Sequence, residues 1–231
     1  MIRIENLKII YGSESVAISG LTLDIKKGSR TAVIGANGAG KSTLLLSIMG
    51  ILPIEEGTIY VDDLAVTKKS AAEIRKKCGI VFQNPDEQLF TTKVYDDVAF
   101  GPKNHGLKGK KLEDAVMGAL GAMGISHLKD RIPMHLSGGE KRAVAVASVL
   151  SMDPQVLLLD EPSSFLDPRS KRTLIKTLSN LCKTQVIATH DLDLARKLCD
   201  TVVLLKDGKL CACGSAGEIL ENERLLIECG L

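Results

Sequence analysis

Gly35-Ala36-Asn37-Gly38-Ala39-Gly40-Lys41-Ser42-Thr43 carries the spacing G-x-x-x-x-G-K-[ST] of a phosphate-binding loop. Gly35, Gly38 and Gly40 lack a Cβ, so the backbone there can take unusual torsions and come close to a polyanion. Successive N–H groups then form an anion nest at the start of a helix. The Lys41 ammonium can reach outer phosphates. The Ser42 hydroxyl suits Mg²⁺, an ion that favours hard oxygen donors. Asp160 and Glu161 end an apolar run, Val156-Leu157-Leu158-Leu159. There Asp160 can hold Mg²⁺ through water, and Glu161 can act as general base toward an attacking water. His190 ends another apolar run and is a candidate for a γ-phosphate contact. Gln83 ends a third, with an amide that can hold the metal or the attacking water. Leu136-Ser137-Gly138-Gly139-Glu140 is a second glycine turn opening a helix, hence a second phosphate-binding device.

Side chains so far apart in the chain meet only if strands deliver them to one edge of a sheet. The apolar runs fit that need. Thr31 to Ile34, Cys78 to Phe82, Val156 to Leu159 and Gln185 to Thr189 read as strands. Val156 to Leu159 in particular has the continuous apolarity of a parallel strand buried on both faces. Ligands bind at the C-terminal ends of strands in open α/β sheets, which is where Asp160 and His190 fall. Met1 to Ile10 and Val16 to Ile25 read as two further strands, and Gly57 to Val61 as another with its turn at Asp62-Asp63. The helix after the phosphate loop is expected to stop near Gly50, before Pro53. Ser70 with Glu73, and Ser215 with Glu218, have the spacing of capping boxes. Asp167, followed by Pro168, and Asp191 are expected helix N-caps. From Gln83 to His135 prolines and glycines recur, and Leu112, Val116, Leu120 and Met123 fall near helical spacing. This stretch reads as a mostly helical insertion. Thr201 to Cys213 reads as a hairpin turning at Lys206 to Lys209.

The 231 residues, 45% hydrophobic, suffice for a sizeable core, which with 3% aromatic residues must be Leu, Ile, Val and Ala. A net charge of +2 argues against nucleic acid as the main partner. No apolar run approaches the roughly 20 residues needed to span a bilayer, and Met1 leads into strand-like alternation and not a signal peptide. Any work at a membrane then needs a spanning partner. The six scattered cysteines form no C-x-x-C pair. Cys211 and Cys213 share one side of a strand, as a soft-metal pair or as reduced thiols; the scatter favours reduced thiols in a cytosol.

Taken together, the motifs resemble the ATP-binding cassette (ABC) family over essentially the whole chain. Gly35 to Thr43 matches its Walker A motif, Gln83 its Q-loop, and Leu136 to Glu140 its signature. Val156 to Glu161 matches Walker B with the catalytic glutamate, Ser163-Ser164-Phe165-Leu166-Asp167 the D-loop, and His190 the switch histidine. Tyr11 stands where the family places an aromatic on adenine. Glu140 departs from the more usual Gln. The resemblance implies an α/β P-loop NTPase fold. It has a RecA-like core with a mainly parallel sheet, an N-terminal antiparallel β subdomain and an inserted helical subdomain. In this chain that makes a single nucleotide-binding domain, 1-231, with core and β subdomain at 1-88 and 136-231 and the helical part at about 89-135. It also implies ATP and Mg²⁺ as ligands and ATP hydrolysis as the reaction. Two such domains pair head to tail, the second copy being identical or a paralogue. Ser137, Gly138, Gly139 and Glu140 of one then face the ATP of the other.

Val81-Phe82-Gln83-Asn84-Pro85-Asp86-Glu87-Gln88-Leu89-Phe90 and Asp96 to Asn104 resemble the energy-coupling factor (ECF) branch, which serves uptake of vitamins and of cobalt or nickel. That implies a transmembrane coupling protein and a substrate-binding membrane protein as partners, docking between Gln83 and the signature at the cytoplasmic face of the membrane. Phe82, Leu89, Val98 and Phe100 read either as core or as groove walls. The short segment after His190 leaves little room for the C-terminal extension of vitamin-type members and favours the metal-uptake type. Other readings are the ATPase of another ABC transporter class and a soluble member such as an iron–sulfur assembly factor.

Overall fold

The computed structural model describes residues 1–11, 15–164 and 166–231. Two sheets organise it. Strands β1 (Ile2–Tyr11), β2 (Ser15–Ile25), β4 (Glu56–Val61) and β5 (Leu64–Ala65) form an antiparallel sheet in the order β2-β1-β4-β5. The second sheet has six strands. β3 (Arg30–Ile34), β6 (Cys78–Val81), β7 (Val156–Asp160), β8 (Thr184–Thr189) and β9 (Thr201–Lys206) run parallel, and β10 (Lys209–Ser215) closes one edge antiparallel to β9. Its order is β10-β9-β3-β8-β7-β6.

Because β7 and β8 are buried on both faces, alternate residues feed two separate cores. Val33, Val156, Leu158, Val186, Ala188 and Val203 point toward helices α1 (Lys41–Ile48) and α2 (Ala71–Lys77) and the antiparallel sheet. Ile34, Leu157, Leu159, Ile187, Val202 and Leu204 point the other way. They meet α3 (Val94–Asn104), α4 (Gly109–Ala122), α5 (Gly138–Leu150), α6 (Pro168–Ser179) and α7 (Leu192–Leu198), with the short α8 (Ala216–Leu220) and α9 (Glu223–Glu228) completing that layer. The core is aliphatic, as the composition requires.

Parallel pairing places the functional edge. Ile34 pairs with Thr189, Asp160 with Ala188, and Val81 with Leu159. The chain therefore leaves β3, β6, β7 and β8 on one side of the sheet, into Gly35, Gln83, Glu161 and His190 respectively.

Three local expectations need correction. Ser70 stands at the N-cap of α2 but makes no capping bond. Its hydroxyl is taken by the Ala65 carbonyl and accepts from the Thr67 N–H, so the Ser70–Glu73 box does not form. A box forms instead at Ser137 and Glu140, in addition to the expected one at Ser215 and Glu218. The cysteines are not all free thiols either. Cys229, just after α9, pairs with Cys211 of β10 in a disulfide, which also removes Cys211–Cys213 as a metal pair. No group of three or more His, Cys, Asp or Glu with metal-binding geometry exists among the described residues. Cys78 and Cys199 are thiols that burial pushes up to about 12. Among the described residues no helix is long and apolar enough to cross a membrane.

Candidate nucleotide site

The phosphate loop is shaped by close approach. Gly40 caps α1 at φ 97°, and a Cβ there would lie 2.7 Å from the Ala17 carbonyl oxygen. A Cβ on Gly35 would collide with the Leu205 carbonyl of β9. Only glycine lets the loop pass between these strands. No side chain caps α1, so its first N–H groups are left for an anion. Lys41 is buried, with its ammonium donating to the Gly35 oxygen at 2.7 Å and the Ala36 oxygen at 3.1 Å. Ala36, Asn37, Gly38 and Ala39 form the turn between them, closed by Ala39 N–H to Ala36 O at 3.1 Å. The Tyr11 hydroxyl lies 3.4 Å from Thr43 Oγ1, at the exposed flank of the loop.

Asp160 ends β7 buried beside Ser42. Burial raises its carboxyl pKa above the ordinary value, and the hydrogen bond from Ser42 and the charge of Lys41 only partly oppose this. Oδ1 of Asp160 has no hydrogen-bond partner. An orphaned buried carboxylate oxygen next to a hydroxyl, at the mouth of an anion nest, fits a hard divalent cation. A neutral amide there relieves the desolvated charge. Asp160→Asn is therefore expected to unfold at a higher temperature without nucleotide. It should lose the extra stabilisation that Mg²⁺ adds to ATP. A thermal melt with ATP, with and without Mg²⁺, checks both; an unchanged Mg²⁺ increment removes Asp160 from the cation site.

Glu161 takes φ 44°, a left-handed backbone that turns its buried side chain back over β8. Its carboxylate accepts from Thr189 Oγ1 at 3.1 Å and the His190 N–H at 3.4 Å. The His190 ring sits 2.9 Å away through Nδ1, with its side chain 63% exposed. Lys41 Nζ is 3.9 Å from the same carboxylate. The structure thus brings Lys41, Asp160, Glu161 and His190 together. A carboxylate, an imidazole and an ammonium around an anion nest can seat a triphosphate and take a proton from a water.

Gln83 is at the same sheet edge, but no hydrogen bond joins its amide to Ser42 or Asp160. What holds it is a residue that the sequence reading did not single out. Arg142, only 2% exposed, donates through Nη1 to the Phe82 oxygen at 2.6 Å and through Nη2 to the Gln83 oxygen. Burial lowers its pKa from the usual value. An arginine beginning the run Arg142 to Val146 in a small-residue helix is the available signal, but its partners lie 60 and 59 residues away.

Ser137, Gly138, Gly139 and Glu140 do not contact the phosphate loop of their own chain. They form the first turn of α5. Glu140 accepts from the Ser137 N–H and hydroxyl, both at 2.8 Å, and these bonds hold its carboxyl below the usual range. Glu140 thus does the work that glutamine also does in a capping box. The turn lies in a concavity with Leu166, Asp167 and Ser170. Asp167 caps α6 through the Arg169 and Ser170 N–H groups, as its position implied. Ser163 donates to Asp191 at 2.8 Å, tying this loop to the residue after His190. Phe165 lies outside the described residues.

A family model described as ABC transporter matches residues 18–164. This chain belongs to the ABC transporter family. The ABC ATPase is 42% identical to the energy-coupling factor transporter ATP-binding protein EcfA of Carboxydothermus hydrogenoformans, over 100% of this chain and 86% of that protein. The solved structure of cbiO1 from Clostridium perfringens, described as part of the ABC transporter complex cbiONQ, superposes with a TM-score of 0.86. It is 38% identical, over 98% of this chain and 93% of the other. The dimeric post-hydrolysis state of the ATP-binding cassette MJ0796, bound to ADP and Pi, gives 0.86 at 26% identity, over 94% and 99%. The fold is thus that of an ABC nucleotide-binding domain, and the chain is an ATP-binding and ATP-hydrolysing transporter subunit.

Proposed function

We propose that this ABC ATPase drives an importer of the energy-coupling factor type, taking up a transition metal (cobalt or nickel) or a vitamin. It would work at the cytoplasmic face of the membrane, through a transmembrane coupling protein and a separate substrate-binding membrane protein. The observation that carries this is the surface after Gln83. Leu89 and Val98 are buried in the core, whereas Phe90 and Phe100 are 66% and 48% exposed and stack edge to face at 4.9 Å. With Phe82 and Met152 they wall an apolar groove. Asp97 fixes its rim by accepting from the N–H groups of Phe90 and Thr91 at 3.0 and 3.1 Å. Exposed aromatics held on a rigid rim suit a protein partner and not solvent. The likeness to EcfA and cbiO1 supports the same reading.

In this reading residues 89-135 act as a helical subdomain on a core formed by 1-88 and 136-231. ATP is seated by Gly35 to Thr43, with Lys41 on its outer phosphates and Tyr11 against adenine. Ser42, Asp160 and Gln83 would hold Mg²⁺, which offsets phosphate charge when bound. Glu161 takes a proton from the attacking water, and His190, oriented by Glu161, faces the γ-phosphate. A second subunit, a copy or a paralogue, presents its own Ser137 to Glu140 turn and Asp167. The exposure of Ser137 and Gly138, at a rigidly capped helix start, supports this pairing.

Phe90→Glu combined with Phe100→Glu is expected to leave ATP affinity of the purified chain unchanged. Co-purification of membrane proteins from detergent-solubilised membranes should drop about tenfold or more. Full recovery of the same membrane proteins would remove the groove from the docking role.

A further inference from the structure

The proposed role of Gln83 raises the question of what fixes its position, since β6 ends two residues earlier at Val81. The Phe82–Gln83 backbone is held from α5 and not from its own sheet. Arg142 grips the two carbonyls. The preceding peptide unit, Val81–Phe82, is held by Gln88. Its Oε1 accepts from the Phe82 N–H at 3.2 Å, and its Nε2 donates to the Ala145 carbonyl at 2.7 Å and to Ser148 Oγ at 2.9 Å. The orientation of the amide is dictated, because a backbone N–H can only donate and a carbonyl only accept. A carboxylate cannot serve Ala145, and an ammonium cannot serve Phe82. The loop between Gln83 and Gln88 is short and internally braced by the Asp86 N–H to Asn84 Oδ1 bond at 3.1 Å. Lys141 of α5 adds an ion pair to Asp86 at 2.6 Å. The Gln88 side chain also lines the groove of Phe90 and Phe100.

We infer that Gln88 is a positioning residue for Gln83, pinning the Gln83-bearing loop to the helix that starts at Ser137. The loop and α5 then move as one body when subunits close on ATP. Gln88 acts through backbone placement and touches no nucleotide. This inference rests on the reading that Gln83 serves hydrolysis.

The test compares Gln88→Met, Gln83→Ala and the double variant, with Mg²⁺-dependent ATP hydrolysis and ATP affinity measured on each. Gln88→Met keeps length and packing but loses all three hydrogen bonds. It is expected to lower kcat about tenfold, with KM for ATP within about twofold, because a misplaced group costs turnover more than binding. The double variant should be no slower than Gln83→Ala alone, since the two act as one unit. Gln88→Glu gives a second readout should Gln88→Met fold poorly. When protonated, its carboxyl can again accept from Phe82 and donate to Ala145. Its kcat relative to the unchanged chain should therefore rise as pH is lowered. Multiplicative losses in the double variant, or unchanged kcat in Gln88→Met and a flat pH ratio in Gln88→Glu, overturn the inference while leaving Gln83 in place. Full turnover in Gln83→Ala overturns the Gln83 reading and the inference with it.

Discussion

Lys41→Ala is expected to lower ATP affinity about a hundredfold or more. Lys41 is the buried cation of the loop, held on the Gly35 and Ala36 carbonyls. Its exchange of those carbonyls for phosphate oxygens converts two charge–dipole bonds into charge–charge bonds in a site closed to water on most sides. A charged hydrogen bond contributes about 1.5–3 kcal/mol, so loss of one or two such bonds accounts for the expected change. The fold should persist, because Lys41 is at the first position of α1 and alanine is a strong helix former. Calorimetric titration with ATP, beside a thermal melt, separates binding from stability. An affinity within twofold of the unchanged chain, with the melt intact, sinks the phosphate-loop assignment. Lys41→Met, which keeps most of the buried stem, should lose affinity to a similar extent if charge is the cause.

The second large effect is on turnover. Glu161→Gln should hydrolyse ATP about a thousandfold more slowly, the range over which a positioned general base contributes. It keeps the volume of the side chain and its acceptor for Thr189 Oγ1 and the His190 N–H. What it loses is the basic oxygen beside His190 Nδ1 and the charge near Lys41. Removing a carboxylate from the neighbourhood of a triphosphate should leave ATP binding intact or tighter. An ATP-loaded pair then has no route to release, and size-exclusion chromatography with ATP and Mg²⁺ should show a dimer absent with ADP. Turnover within about tenfold of the unchanged chain removes Glu161 from the base role. A variant that is inactive yet monomeric with ATP counts instead against the head-to-tail pairing.

Much of the nucleotide site was legible because its parts are local. A glycine turn between a buried strand and a helix has few structural solutions, and four apolar residues before Asp160 force a buried strand with the acid at its end. The ties between those parts were not legible. Ser70 and Ser137 carry nearly the same capping pattern, yet only Ser137 forms the box. The difference is that β5 and Thr67 bring competing partners to Ser70. Likewise Leu89, Val98, Phe90 and Phe100 are all apolar residues of one segment. Which pair is core and which faces outward depends on where α3 meets α5, and no spacing rule contains that.

The order of motifs in the chain by itself determined the glycine loop that opens α1, the acidic strand end, and the single sheet edge where both must lie. Those follow from hydrophobic period and turn chemistry, which act over a few residues. Only the tertiary structure decided that Arg142 and Gln88 hold the Gln83 loop from α5, that Glu161 turns back on Thr189 and His190, and that Cys229 pairs with Cys211. Each of these joins residues separated by 18 to 60 positions. Such contacts are specified by the packing of whole elements, and so they enter only when the sheets and helices are assembled.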